Sequence, residues 1–121
     1  MHKITYLQAD ALYQTLYGES KRTDLTVLKD IFSAAWSTKD GEYLCFRTVY
    51  ARAAKLLTAI ADKKPFPAHN RAMAVMCALS LLELNGITLS ATEEHIKEML
   101  SFPSTESGIA ALGEWLEATS E

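Results

Sequence analysis

The sequence predicts an all-α fold: a compact bundle of about six helices around a buried central helix, with one short hairpin flap. Three observations lead there. Apolar residues recur at helical spacing in one segment after another. Glycines, prolines and capping patterns separate those segments. Between Arg71 and Leu84, 11 of 14 residues are apolar, all except Arg71, Ser80 and Glu83, which marks a helix buried nearly all round. At 121 residues the chain makes one domain, 1–121, with no internal repeat or linker. A hydrophobic fraction of 49% against 22% charged residues is that of a folded core, not of a disordered chain.

The elements follow in order. Tyr6 to Tyr17 carries Leu7, Ala11, Leu12 and Leu16, with Gly18 fitting the position just past a helix end. The polar bend ESKRTD leads to a second helix with Leu28, Ile31 and Ala35. In STKDGEYLCFR the dipeptide Asp40-Gly41 is a hairpin-turn signal, and Tyr43, Cys45 and Arg47 alternate with Leu44 and Phe46. Arg47 to Asp62 reads as an amphipathic helix. Val49, Ala53, Leu56, Leu57 and Ile60 line one face, and Arg52, Lys55 and Asp62 the other. After KKPFPAH the central helix runs from near Asn70 to about Leu84, and Gly86 of Asn85-Gly86 takes the left-handed position that ends it. Ser90-x-x-Glu93 is a capping-box pattern for a fifth helix with Ile96, Met99 and Leu100. Pro103-Ser104 opens a sixth, carrying Ile109, Leu112, Trp115 and Leu116. Trp36 and Trp115 read as packing anchors.

Charge and cysteine content narrow the function. Twelve basic residues against 15 acidic ones give a net charge of −3, without the basic excess of a nucleic-acid binder. Cys45 and Cys77 fit reduced thiols of a cytoplasmic protein better than a secreted disulfide scaffold. The N-terminus has no signal-like apolar core, and Ala72–Leu82 is far shorter than the roughly 20 residues needed to cross a membrane. There is no glycine-rich phosphate loop, no G-x-S-x-G and no H-E-x-x-H. His2, His69 and His95 have no metal-like spacing with the cysteines.

Chemistry concentrates at one junction, Lys63-Lys64-Pro65-Phe66-Pro67-Ala68-His69-Asn70-Arg71. A proline-bearing loop with two lysines runs into the start of the most apolar helix, where backbone N–H groups and the helix dipole favour an anion. His69, Asn70 and Arg71 add polar donors in the first turn. The same residues also admit a structural reading. Asn70 is then a helix cap, Lys63 and Lys64 close the preceding helix, and Arg71 faces solvent.

The junction resembles the motif of the Fic/Doc (death-on-curing) family, H-x-F-x-[D/E]-[G/A]-N-[G/K]-R, followed by an apolar helix ending L-x-x-N-G. K-P-F-P-A-H-N-R-A stands at the motif, and AMAVMCALSLLELNGITL is similar to the helix and exit turn. Asp24-Leu25 with Leu28 resembles the family's R-D-L-x-L-L region, and TVYARAAKLLTAIA its pre-motif helix, so the likeness spans nearly the whole chain. It implies that Phe66 anchors the loop in the core, that Asn70 helps to hold phosphate, and that Arg71 keeps a phosphate contact at the Gly/Lys position. Four positions depart from the motif: Lys64 replaces the catalytic histidine, Ala68 the acidic residue that orients magnesium, His69 the small residue of the anion hole, and Ala72 the following arginine.

The family chemistry, implied by the resemblance, is transfer of AMP or phosphate from ATP with magnesium to a protein hydroxyl, the histidine taking the proton. Lys64 would need its pKa lowered by about 3 units to replace it. The expectation is therefore a Doc-like toxin-family pseudoenzyme with a decayed site at Lys64, Phe66, His69, Asn70 and Arg71. It would keep weak nucleotide or phosphate binding and take an antitoxin-like protein or a protein target as partner. The alternatives are an active transferase using Lys64 or His69 in an altered mechanism, and a helical protein-interaction module.

Overall fold

The computed structural model describes residues 2–18, 22–36 and 48–120. Among these it is all-helical, with six helices: α1 (Tyr6–Tyr17), α2 (Leu25–Trp36), α3 (Val49–Lys63), α4 (Asn70–Leu84), α5 (Glu93–Met99) and α6 (Glu106–Thr119). The hairpin expected over 37–47, with Cys45, lies outside the described residues. No described helix is long and apolar enough to cross a membrane.

Helix starts are set by hydroxyls. Thr5, Thr48, Thr92 and Thr105 each accept a backbone N–H three residues on, at the starts of α1, α3, α5 and α6. Asp24 does the same for α2, its Oδ1 accepting the Val27 N–H at 3.2 Å. The capping box expected at Ser90 is displaced by two residues. Thr92 caps α5, and His95 occupies the third helical position, its Nδ1 accepting the Thr92 N–H at 3.3 Å. An imidazole nitrogen serves where the usual pattern has Glu or Gln. The sixth helix likewise starts at Glu106, because Thr105 rather than Ser104 supplies the cap.

The core gathers around α3, which packs on α2, α4 and α6. The sequence expectation placed α4 at the centre. That helix buries Met73, Ala74, Val75, Cys77, Ala78, Leu81 and Leu82, and packs chiefly on α3. The centrality of α3 comes from small residues: Ala51, Ala53, Ala54 and Ala59 are buried, so neighbouring backbones approach closely. At the α3–α6 crossing, a Cβ placed on Gly113 would lie 3.3 Å from the Ala51 Cα.

Two faces differ from the periodicity reading. In α1 the buried residues are Ala9 and Tyr13, while Leu7 and Leu16 are exposed. The tyrosines carry the packing there, and a pattern of leucines does not register them. In α3, Arg52 stands at a polar-face position of the sequence pattern, yet it is buried. Its Nη1 donates to the Ala35 carbonyl at 2.9 Å, placing a cation at the last turn of α2. Burial lowers its pKa from the ordinary arginine value.

Candidate functional site

The α3–α4 junction begins and ends on left-handed residues. Lys64 (φ 50°) closes α3, its N–H donating to the Ile60 carbonyl, and His69 (φ 56°) precedes α4. Neither is glycine, so both conformations are held by their surroundings against an intrinsic cost of about 1–2 kcal/mol each.

Phe66 is the inward anchor. It is 3% exposed and stacks on Tyr13 of α1 with ring centroids 5.0 Å apart and planes within 17°. Tyr13 lies 5.1 Å from Tyr17, and Tyr17 stacks on His69 at 4.0 Å and 7°. Two tyrosines one helical turn apart thus match two loop rings three residues apart. The pairing was readable in principle from those spacings, but only once α1 and the loop are known to be neighbours.

Hydrogen bonds fix the rest. The Asp24 N–H donates to the Pro65 carbonyl at 2.8 Å, joining the start of α2 to the loop. The Asn70 carboxamide grips the Phe66 peptide from both sides: Oδ1 accepts the Phe66 N–H and Nδ2 donates to the Phe66 carbonyl, each at 2.9 Å. Asn70 is therefore the first residue of α4 rather than its cap. The cap position belongs to His69, which makes no side-chain capping bond.

The expected site residues divide accordingly. Phe66 and Asn70 are brought together and committed to the loop. Lys64, His69 and Arg71 lie exposed at the surface around the start of α4. Ala68, half-buried, offers no ligand to a cation. No group of three or more His, Cys, Asp or Glu among the described residues could hold a metal. The described residues do not fit the magnesium that the resemblance implies. Sequence reasoning missed Tyr13, Tyr17 and the Asp24 amide, which shape the junction.

No protein-family model matches the chain, and no curated protein matches it.

Proposed function

We propose that the protein is a Doc-like helical domain that has given up phosphoryl or nucleotidyl transfer and keeps a weak anion contact at the start of α4. The observation that carries this reading is the use of Asn70. A carboxamide whose donor and acceptor both serve the Phe66 peptide is a loop clamp, and it leaves the phosphate to backbone N–H groups, Lys64 and Arg71. Lys64, at the position of the family's catalytic histidine, lies exposed in its loop. Support for the anion contact comes from α4 being the described helix whose cap position makes no side-chain bond, with cationic side chains on either side.

Thermal unfolding with ATP, with and without magnesium, tests it. Stabilisation of a few tenths of a kcal/mol at millimolar ATP, independent of magnesium and lost in Lys64→Ala/Arg71→Ala, is expected. Labelled AMP or phosphate transferred to a lysate, and abolished by Lys64→Ala, would instead establish the active-transferase alternative. No stabilisation by ATP removes the anion contact from the reading.

The interaction-module alternative is favoured by a different observation, an apolar groove among the described residues at the other end of the α1–α2 pair.

A further inference from the structure

The groove lies between residues 3–7 and one face of α2, with a volume of about 320 Å³. Ile4, Phe32 and Trp36 supply apolar lining, Leu7 stands at its edge 57% exposed, and Lys3 and Lys29 are its charged residues. Its wall is fixed rather than loose. The Asn85 carboxamide holds the His2 peptide by both N–H and C=O, at 2.8 and 2.9 Å, and Thr5 caps α1. On α2 the lining residues Lys29, Phe32, Ser33 and Trp36 recur at the spacing of a single helical face, which Leu25, 42% exposed, continues one turn upstream.

The charge of this surface opposes that of the chain. The protein is net −3, yet among the described residues no acidic side chain lines the groove. The Lys3 Nζ lies 5.3 Å from the Trp36 ring centroid, and the Arg52 guanidinium carbon 5.2 Å from it, so the one indole has two cations beside it. Apolar lining with a cationic rim is complementary to an apolar side chain flanked by carboxylates. We infer that this groove docks an acidic, apolar peptide segment of a partner protein, its large apolar residue over Phe32 and Trp36 and its carboxylates at Lys3 and Lys29. This surface is separate from the start of α4, and the inference stands whether or not anions bind there. Lys3 and Lys29 provide steering and orientation, and the apolar contact provides most of the affinity.

A random dodecapeptide library displayed on phage, selected against the full chain, tests it. The expected winners carry Asp or Glu on both sides of an aromatic residue or leucine. Synthetic copies should bind about tenfold more weakly to Lys3→Glu/Lys29→Glu, and weaken at salt on the order of 0.5 M. In a Trp115→Phe background, the emission of Trp36 should respond to the peptide. Both lysines are exposed, so the charge-reversed protein should keep its helix content and melting temperature, measured in parallel. Winners without acidic residues, equal binding to the charge-reversed protein, or no enrichment would overturn the inference. Self-association of the chain that the lysine reversals abolish would also overturn it, by giving the groove to a second copy.

Discussion

Asn70 and Asn85 stand at opposite ends of α4, and each grips the backbone of one residue by its N–H and its C=O together. At the start of the helix the held peptide is that of Phe66, four residues away, beneath a stack of rings. At the end it is that of His2, 83 positions away and exposed. One device therefore does two things. Where the bonds are partly buried it makes a rigid loop, and where water competes it sets the path of a terminal segment at small energetic gain. The lesson bears on function. Asn70, which a family likeness would assign to phosphate, is committed to the loop, while the segment held by the outer clamp forms a wall of the cationic groove.

The sharpest way to break the contrast is to remove the ring under the inner clamp. Phe66→Ala deletes a nearly fully buried aromatic and its stack on Tyr13, and should cost about 3–5 kcal/mol in urea unfolding. A loss below about 1 kcal/mol would mean that the junction is not anchored as described.

Between the clamps, Cys77 is 1% exposed, and burial pushes its thiol from 9.0 up to about 12. The folded state then holds a proton that the unfolded chain releases. Stability from this group is present below pH 9 and lost as pH rises from 9 to 12, by about 1.4 kcal/mol per pH unit. The difference between the wild type and Cys77→Ala, followed by unfolding across that range in a Cys45→Ser background, isolates the slope. A flat difference would show a thiol open to solvent.

Asn70→Ala leaves the Phe66 N–H and carbonyl, both partly buried, without their partner, and should destabilise by about 2 kcal/mol. Asn70→Asp keeps the acceptor, loses the donor and adds a charge suited to a helix start, so it should fall between wild type and Ala. If Asn70→Ala leaves stability unchanged yet removes any effect of ATP, the side chain is a ligand for phosphate rather than a clamp.

The limits of legibility follow from the same residues. Gly18 and Gly86, both with positive φ, mark helix ends where the sequence predicts them, and α4 runs over the expected Asn70–Leu84. These are local rules of backbone conformation, readable one residue at a time. The buried face of α1 was not readable, because Tyr13 packs through a loop some fifty residues away while Leu7 and Leu16 stay outside. Arg52 shows the same gap. A cation at regular spacing on the polar side of a helix is assigned to solvent unless the carbonyl end of α2 is known to be there. At the candidate site the sequence pointed to the junction and left the role of Asn70 open. A carboxamide can serve an anion or a peptide, and the choice depends on where Phe66 is driven by its ring.

Asn85→Ala is the smallest of these effects and the one that isolates the outer clamp. The Nδ2 donates to the Leu81 carbonyl at 2.8 Å as well as to His2, so the substitution removes a C-terminal helix bond along with the terminal grip. Water reaches the exposed His2 groups and the Leu81 bond is only part-buried, so the expected loss is about 0.5–1 kcal/mol, well below that of Asn70→Ala. Hydrogen exchange separates the two clamps by place as well as by size. Asn85→Ala should lower protection at residues 2–5 and leave 64–70 unchanged, and Asn70→Ala should do the reverse. If the outer clamp also orders the groove wall, the peptides selected against the wild type should bind Asn85→Ala several-fold more weakly, although Asn85 touches none of them. Unchanged affinity with lost protection would show that Lys3 and Ile4 keep their places without the clamp, and that the wall is held by the Thr5 cap alone.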